Sequence, residues 1–485
     1  MPKFRKLSAA ELDGHHLPSA AAVPKGEGEK AAHVPGMAAQ WPAPQTAANA
    51  SAGAYPRYPA YKDAGVEWLG EVPEHWKVTR VKRLFEIKKH IAGVDGYEVL
   101  SITQQGIKVK DIESGDGQLS MDYSKYQFVE VGDFAMNHMD LLTGYIDISP
   151  VLGVTSPDYR VFSVRDPGRC FDRYYLYLFQ SGYKNKIFYA FGQGSSQLGR
   201  WRFPTDQFND FEFPSPPLPE QRAIAALLDS ETARIDALVA KQEALIALLQ
   251  EKRKAVISHA VTKGLNPDAP MKDSGVAWLG EVPAGWEVIR LKRIAQIRYG
   301  LGQPPREDDQ GVPIIRATNI DAGRITNRDL LLVDPSDVPE GKNALLAEGE
   351  IIVVRSGAYT GDSAIIPLEY VGSLAGYDMV VTVTQPVQQY VAWTLLSAGV
   401  QNQFDLAKLR AAQPHLNAEE LGETWVVLPD KAQQIEIVKF IECETARIDA
   451  LIAKAEQFIE RLREHRTALI AAAVTGKIDV RTLTP

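Results

Sequence analysis

The sequence has few cysteines and no long apolar run, and these absences exclude several classes of protein. Cys170 and Cys443 are the two cysteines in 485 residues. Two are too few for a disulfide framework or a zinc site, and we expect free thiols in a reducing cytoplasm. No run of about 18 apolar residues occurs, so no transmembrane helix is predicted. The basic residues Lys3, Arg5 and Lys6 are not followed by an apolar segment, so no signal peptide is predicted.

Sequence motifs of catalysis and metal binding are also absent. Neither Gly341-Lys342 nor Gly476-Lys477 is followed by the Ser or Thr that a phosphate-binding loop needs. The Asn/Asp-Pro-Pro-aromatic loop of amino-methyltransferases, the H-E-x-x-H helix and the C-x-x-C pair do not occur. Glu86-Ile87-Lys88 has a nuclease-like E-x-K spacing, but such triplets are common by chance. We therefore predict no catalytic residue, no metal ligand and no cofactor.

A positive net charge is missing too. The formal net charge of −8 argues against a uniformly basic coat for nucleic acid. Local basic faces remain compatible with it, because recognition depends on where charge lies. The length of 485 residues suggests two to four domains, and the 45% hydrophobic content is that of an ordinary globular protein.

What the chain does contain is a long helical pattern that occurs twice. The octapeptide ETARIDAL stands at 231–238 and, unchanged, at 444–451, an offset of 444 − 231 = 213 residues. Around the first copy a seam with alternating steps of four and three contains the apolar residues Ile224, Leu228, Ile235, Leu238, Leu245, Leu249 and Val256, with the polar Glu231, Gln242 and Lys252 at the positions between. The same offset gives Ile437, Ile441, Ile448, Leu451, Phe458, Leu462 and Leu469. Matching heptad seams predict that two helices of roughly 65 Å pair as a coiled coil.

The segment that leads into each globular block is repeated as well. YKDAGVEWLGEVPEHW begins at Tyr61 and MKDSGVAWLGEVPAGW begins at Met271, an offset of 271 − 61 = 210 residues. The chain is therefore an internal duplication of lead-in segment, globular block and long helix. The two blocks, about 77–217 and 287–428, do not resemble each other. Each has short β-like runs broken by Gly and Pro, and one late predicted helix, at 172–188 and 388–407.

These features together resemble the specificity subunit of type I restriction–modification systems. The resemblance rests on the repeated KDxGVxWLGEVPxxW, the PPLPEQ segment, the ETARIDAL helix and the duplication, and it covers about 58–478. It implies two target recognition domains, each reading one half of a split double-stranded DNA sequence. It also implies a helical spacer that docks two methylation subunits, a restriction subunit that joins for cleavage, and adenine methylation or restriction as the outcome.

The predicted fold class is α+β. Two globular α/β target recognition domains are separated by two long helices that form an antiparallel coiled coil, with an internal pseudo-twofold repeat. The boundaries expected from the sequence are a disordered tail at 1–57, the first recognition domain at 58–217, the first spacer helix at 218–264, the second recognition domain at 265–428, the second spacer helix at 429–478 and a tail at 479–485. The first tail either contacts a partner or is a solvated extension.

Candidate DNA contacts follow from side-chain chemistry. Arg suits guanine, Asn and Gln suit adenine, and Lys or Ser suit phosphate. In the first block the candidates are Lys88, Lys89, Gln193, Ser195, Ser196, Gln197, Arg200 and Arg202. In the second they are Arg316, Asn319, Arg355, Tyr359, Gln413, His415 and Asn417. For each, the alternative is an ordinary solvated loop residue. The pair Lys82-Arg83 recurs as Lys292-Arg293, so it belongs to the repeated frame and is not expected to read sequence.

The resemblance also implies that the repeated octapeptide contacts partner subunits, through Glu231, Arg234, Asp236, Glu444, Arg447 and Asp449. Two other functions remain open on the sequence alone. One is a coiled-coil scaffold whose two blocks bind protein. The other is an enzyme with a fused nuclease, which the missing motifs disfavour. A constant frame around two unlike interiors favours a protein that reads two different sequences.

Overall fold

The computed structural model describes residues 55–112, 120, 122–194, 201–408 and 415–483. Within them the chain passes twice through the same series: a small hairpin, a short strand, a four-stranded sheet with helices, and one long helix. The predicted α+β class, with two blocks joined by two long helices, is confirmed.

Eight α-helices lie in the described residues. They are α1 Val81–Leu84, α2 Asp172–Lys184, α3 Thr205–Asp210, α4 Leu218–Lys263, α5 Gln388–Leu395, α6 Ala398–Lys408, α7 Ala418–Gly422 and α8 Lys431–Val474. Turns of 3-10 helix occur at Phe188–Phe191, Leu291–Arg293, Ala317–Asn319, Pro335–Asp337, Leu368–Tyr370 and Val480–Thr482.

The strands of the first half are β1 Tyr61–Asp63, β2 Glu71–Pro73, β3 Lys77–Arg80, β4 Phe85–Lys88, β5 Leu100–Thr103, β6 Gly106–Val109, β7 Gln127–Val129, β8 Phe134–Met136, β9 Ile146–Ile148, β10 Gly153–Thr155, β11 Arg160–Val164 and β12 Glu212–Ser215. Those of the second half are β13 Met271–Asp273, β14 Glu281–Pro283, β15 Glu287–Arg290, β16 Ala295–Tyr299, β17 Glu307–Ile315, β18 Ile320–Asp321, β19 Arg324–Ile325, β20 Leu331–Val333, β21 Ile351–Val353, β22 Ser363–Ile365, β23 Leu374–Ala375, β24 Met379–Val383 and β25 Trp425–Leu428.

Each block is built on an antiparallel sheet with the same connectivity. The strand order is β4-β11-β8-β9 in the first block and β16-β24-β21-β22 in the second. The strand that enters each block also pairs with the strand that leaves it, β3 with β12 and β15 with β25. The blocks are therefore equivalent in frame although their sequences differ, and positions in one can be matched to positions in the other.

The long helices α4 and α8 pack against each other in opposite directions. Asp236 of α4 lies 3.5 Å from Arg466 of α8, and Arg253 of α4 lies 3.2 Å from Asp449 of α8. The 213-residue offset converts the first ion pair into the second, because 236 + 213 = 449 and 253 + 213 = 466. These reciprocal pairs are the signature of the predicted pseudo-twofold axis.

Both helices contribute to both cores. The first core contains Leu228 near the start of α4 and Leu469 near the end of α8. The second core contains Ile257 near the end of α4 and Ile441 near the start of α8. Each block is thus fixed to the helix pair by apolar burial, the main stabilising term in folding.

The repeated lead-in segment joins each block to the helix ends. The indole N–H of Trp76 donates to Glu220 at 2.9 Å, and that of Trp286 donates to Gln433, the equivalent residue, at 3.0 Å. Each tryptophan ring also covers the glycine that ends the other helix. A side chain on that glycine is disfavoured because φ is 77° at both Gly264 and Gly476.

The heptad seam differs from the prediction in the middle of the helix pair. Leu245, Leu451 and Phe458 are 42%, 44% and 43% exposed, whereas the seam residues nearest the helix ends, Ile224, Leu228, Ile437 and Leu469 among them, are buried. Beyond Leu249 the buried stripe leaves the predicted position Val256 for Arg253, Ile257, Ala260 and Val261. A straight helix drifts by about 20° per heptad, so a strict seven-residue pattern leaves the interface unless the helices supercoil.

Two further differences concern local elements. The single helix predicted at 388–407 is two helices, α5 and α6, which separate at Leu396–Ser397 where the Ser397 hydroxyl donates to the Thr394 carbonyl at 2.6 Å. The predicted tail at 479–485 is packed as far as it is described. Val480 is buried in the first core and the Asp479 amide donates to the Pro56 carbonyl at 2.7 Å.

Candidate nucleic-acid interface

The two predicted recognition loops leave their blocks at equivalent places. The Phe203 amide donates to the His138 carbonyl at 2.8 Å, and the Leu416 amide donates to the Arg355 carbonyl at 2.8 Å. His138 and Arg355 each stand two residues after the equivalent strands β8 and β21. The predicted contacts within these loops, Ser195, Ser196, Gln197, Arg200 and Gln413, lie outside the described residues.

In the first block, Gln193 and Arg202 close the base of the loop. Their backbones exchange hydrogen bonds of 2.8 and 2.9 Å, and both side chains are exposed. Beneath them the Trp201 indole packs on Gly192, where an added Cβ would lie 2.1 Å from the ring nitrogen. The same nitrogen donates to the Tyr189 carbonyl at 2.7 Å. The two ends of the predicted loop are therefore held together, and the polar side chains of Gln193 and Arg202 face solvent.

His138, whose carbonyl anchors the loop, carries an uncharged imidazole. Burial and the neighbouring Arg160 lower the pKa of His138 to about 3, so the imidazole is uncharged at neutral pH. Burial lowers the pKa of Arg160 to about 10, which still leaves it protonated. Its guanidinium lies 4.3 Å from the centroid of the Phe208 ring and donates to the Phe203 carbonyl at 3.0 Å.

Lys88 does not present a free charge. Its ammonium is 2.7 Å from carboxylates of both Glu130 and Asp133. A cation compensated in this way has less to offer a phosphate, so the structure favours a structural role for Lys88. The adjacent Lys89 is exposed and stays a predicted phosphate contact.

In the second block, several predicted residues meet around the end of β21. Arg355 lies over two tyrosine rings, 4.7 Å from the centroid of Tyr299 and 4.1 Å from that of Tyr377. The backbone of Ser356 pairs with that of His415, which brings the second recognition loop alongside. Tyr359 follows on an exposed turn and is 50% exposed.

Asp378 links the residues around Arg355 to the predicted segment that contains Arg316 and Asn319. Its carboxylate accepts the Arg355 backbone N–H at 3.2 Å and also a hydrogen bond from the Ala317 backbone, next to Arg316. Burial nevertheless raises the pKa of Asp378 to about 6. The Arg316 guanidinium is turned to the Asp329 carbonyl at 2.7 Å.

Two predicted base contacts are placed as structural residues. Asn319 is fully buried, and its amide donates to the Arg328 carbonyl at 2.7 Å. Asn417 caps α7, accepting the Glu420 N–H at 2.9 Å while the Glu420 carboxylate accepts the Asn417 N–H at 3.0 Å. This is a capping box, and its N-x-x-E spacing is legible in the sequence.

Sequence reasoning missed Tyr299, Tyr377 and Asp378. They come together because β16 pairs with β24, with Tyr299 opposite Met379. The sequence signal is a glycine beside each tyrosine, Gly300 and Gly376. An added Cβ on Gly300 would lie 2.1 Å from the Gly376 carbonyl oxygen, so the two segments cross closely.

The repeated octapeptide is partly occupied within the chain. Asp449 pairs with both Arg253 and Arg324, and Asp236 pairs with Arg466. These aspartates are therefore less available to another subunit than predicted. Arg447 is exposed, and Arg234 is exposed and pairs with Glu231 of its own helix at 2.7 Å.

Between the blocks, the opened seam forms an apolar groove on the helix pair. It has a volume of about 270 Å³ and is lined mainly by Leu245, Leu249, Leu451, Ala455 and Phe458. Across the described ranges, no three His, Cys, Asp or Glu side chains are grouped to hold a metal ion, and no helix has the length and apolar content to cross a membrane.

Comparison with known proteins gives a consistent result. The family model of the type I restriction modification DNA specificity domain matches residues 283–461. The type I restriction enzyme MjaX specificity subunit of Methanocaldococcus jannaschii is 23% identical over 442 residues, which cover 85% of this chain and 96% of that protein. The EcoKI specificity subunit of Escherichia coli K12 is 24% identical over 292 residues, which cover 56% of this chain and 59% of that protein.

The fold agrees with these sequence matches. A solved chain from a study of complex assembly and conformational transition of the type I R-M system superposes with a TM-score of 0.62 at 14% identity. The superposition covers 84% of this chain and 99% of that chain. Family model, sequence relatives and fold therefore all show similarity to the specificity subunits of type I restriction–modification systems.

Proposed function

We propose that this chain is the sequence-reading, non-catalytic subunit of a type I restriction–modification complex. Each recognition domain, 58–217 and 265–428, reads one half of a bipartite double-stranded DNA target. One observation carries the proposal: unlike polar loops leave equivalent sheets at equivalent places in two blocks fixed at opposite ends of one helix pair. A constant frame with two different reading surfaces suits two different half-sites.

The helix pair then sets the distance between the half-sites. The helices have 46 and 44 residues, or about 65–70 Å at 1.5 Å per residue. Major-groove patches on one face of B-DNA repeat about every 34 Å. A rod of this length, with a block packed on each end, suits half-sites separated by about one helical turn.

The proposed partners are two methylation subunits and a restriction subunit, with adenine methylation or cleavage as the result. The apolar groove of the helix pair and the exposed Arg234 and Arg447 support docking there. A pseudo-twofold frame offers the same surface twice, which supports two methylation subunits. Because the target is DNA held in the cell interior, we propose that the complex acts in the cytoplasm.

The test is a gel shift of the chain assembled with its methylation subunits on a randomised duplex pool. We expect selection of a bipartite sequence, with affinity that falls steeply as salt rises. Retention of methylation subunits without any sequence selection would instead support a coiled-coil scaffold. Nuclease, ATPase or methyltransferase turnover by the purified chain alone would contradict the non-catalytic assignment.

A further inference from the structure

We propose that Arg355 reads a guanine in the half-site of the second block, and that Tyr299 and Tyr377 hold its guanidinium for that contact. The proposal rests on the proposed function, which it deepens by naming a specificity-determining side chain and the base it takes. It arises from an arginine that has aromatic neighbours but no acceptor.

The side chain of Arg355 is unpaired among the described residues. Its Nε is buried without a hydrogen-bond acceptor, and its guanidinium forms no ion pair with a carboxylate of the described chain, although it interacts electrostatically with Asp378. Three other arginines of the same block each pair with a carboxylate. Arg298 donates to Glu350 at 2.7 Å, Arg306 to Asp337 at 2.8 Å and Arg324 to Asp449 at 2.5 Å. Buried donors are normally satisfied, so an exception asks for an acceptor from outside the chain.

The two rings explain how the guanidinium stays in place without that acceptor. Its central carbon lies 4.1 Å from the Tyr377 centroid and 4.7 Å from the Tyr299 centroid, within cation–π range of both. Contact with both rings restrains the guanidinium, and no described residue accepts from its terminal N–H groups, which stay available to a ligand. Guanine presents O6 and N7 as paired acceptors in the major groove, the arrangement that a guanidinium fork matches.

The backbone of Arg355 is held at both ends. Its N–H donates to Asp378 at 3.2 Å, and its carbonyl accepts from Leu416 at 2.8 Å. Tyr299 is tied as well, because its hydroxyl accepts the Ala418 N–H at 2.9 Å. The position of the Arg355 side chain is therefore fixed by the end of β21, by the recognition loop and by the two tyrosine rings together. A contact that discriminates between bases requires such fixed placement.

The first block has a different group at the equivalent position. His138 also stands two residues after the third strand in the order of its sheet, and its carbonyl likewise anchors the recognition loop. A neutral imidazole cannot offer the paired charged donors of arginine. A guanine contact from this position is thus expected of the second block and not of the first.

The experiment is adenine-methylome sequencing of cells that express the chain with its methylation and restriction subunits. Wild type is expected to yield a bipartite motif with one fixed guanine in the half read by the second block. Arg355→Gln should relax that one base pair, lowering discrimination by about 5- to 150-fold, and leave the other half-site and the gap unchanged. Tyr377→Leu should relax the same base pair to a smaller extent.

Arg290→Gln is the matched control. Arg290 lies 3.7 Å from the Trp425 centroid, another arginine over an aromatic ring, but it pairs with Glu423 in the repeated frame. Cells that carry Arg290→Gln should give the same methylation motif as wild type. An unchanged motif in Arg355→Gln would overturn the inference while leaving the proposed function intact.

Two other outcomes are informative. Absence of any bipartite motif in wild type would refute the proposed function itself. If Arg355→Gln abolishes methylation altogether, Arg355→Lys decides, because lysine keeps the charge but loses the planar fork. Relaxation at the guanine in Arg355→Lys supports the inference, and an unchanged motif or complete loss overturns it.

Discussion

At the scale of residues, what separates a reading side chain from a supporting one is whether its polar atoms are already engaged. Lys88 is neutralised by two carboxylates, and Asn319 and Asn417 are used within the fold. Arg202 and Gln193 face solvent at the base of a loop, and Arg355 lacks an acceptor among the described residues. The second group holds the better candidates for base contacts.

The first prediction compares the loop with the frame. Substituting Gln193, Gln197 or Arg200 by Ala should cost about 1–3 kcal/mol on the preferred sequence and relax a single position. Arg83→Gln, which removes an exposed cation of the repeated pair Lys82-Arg83, should weaken binding to every sequence and flatten the salt slope by at most about one. Competition binding on matched duplexes at several salt concentrations measures both. Equal effects of the two classes on all sequences would refute the distinction.

The second prediction concerns Asp378, whose pKa is raised to about 6 by burial. The unfolded carboxyl titrates near 3.9, so the folded state holds its proton more tightly. The resulting penalty to folding is absent below about pH 4 and complete above about pH 6, where it is ~3 kcal/mol at most. Asp378→Asn keeps an oxygen for the Arg355 N–H and removes the penalty.

We therefore expect the melting temperature of Asp378→Asn, relative to wild type, to rise as the pH is raised from about 4 to about 7. Thermal melts across that range test this, with each pH providing its own wild-type reference. A difference that stays constant or shrinks over the range would show that the carboxyl is not held protonated by burial.

At this scale the sequence predicts loops more readily than contacts. The loops at 192–202 and 413–417 are predicted from their position before each long helix, and Arg355 is predicted from its residue type; their contacts with bases stay predictions. Tyr299 and Tyr377 are not predicted, because they are 78 residues apart and meet only through the pairing of β16 with β24. The ion pairs of Lys88 with Glu130 and Asp133 join residues 42 and 45 positions apart, so no local sequence pattern contains them.

At the scale of elements, the helix pair combines firmly packed ends with an opened centre. The ends are cores shared with the blocks, whereas the centre exposes Leu245, Leu451 and Phe458. The repeat and the pairing of the helices followed directly from the heptads. The exposed centre of the seam did not follow from the heptads, because it depends on how strongly the two helices supercoil around each other.

The third prediction uses the reciprocal ion pairs as a matched experiment. Asp449 and Arg253 are 26% and 10% exposed, whereas Asp236 and Arg466 are 62% and 28% exposed. Asp449→Asn should lower the free energy of unfolding by about 1–3 kcal/mol, because it leaves Arg253 buried without its charge partner. Asp236→Asn should change it by less than about 1 kcal/mol. Urea midpoints of both variants measure the difference, and equal losses would contradict the asymmetry.

The fourth prediction treats the helix pair as a ruler. Leu245 and Phe458 line the same groove, so heptads inserted after both keep the seam in phase and lengthen the rod by about 10 Å. At about 3.4 Å per base pair, the preferred gap should widen by up to about three base pairs. Insertion of two residues in each helix rotates the seam by roughly 200° and should abolish methylation. Robust methylation with an unchanged gap in the paired-heptad variant would show that the helices do not set the spacing.

At the scale of the whole molecule, duplication is the organising fact. Two lead-in segments, two sheets of the same connectivity and two antiparallel helices place two equivalent blocks on one helix pair. Duplication was readable in the sequence because its frame is nearly verbatim. The equivalence of the two interiors was not, because the sheets share connectivity while their residues differ.

The most direct test of the account is exchange of the first block, residues 77–217, for the equivalent block of a relative with a known target, followed by methylome sequencing of cells carrying each form. Wild type and exchanged chain are both predicted to give bipartite motifs that share one half-site and the same gap, and differ in the other half-site. A motif altered in both halves, or one without two halves, would contradict the claim that two blocks read DNA independently from the ends of one helical frame.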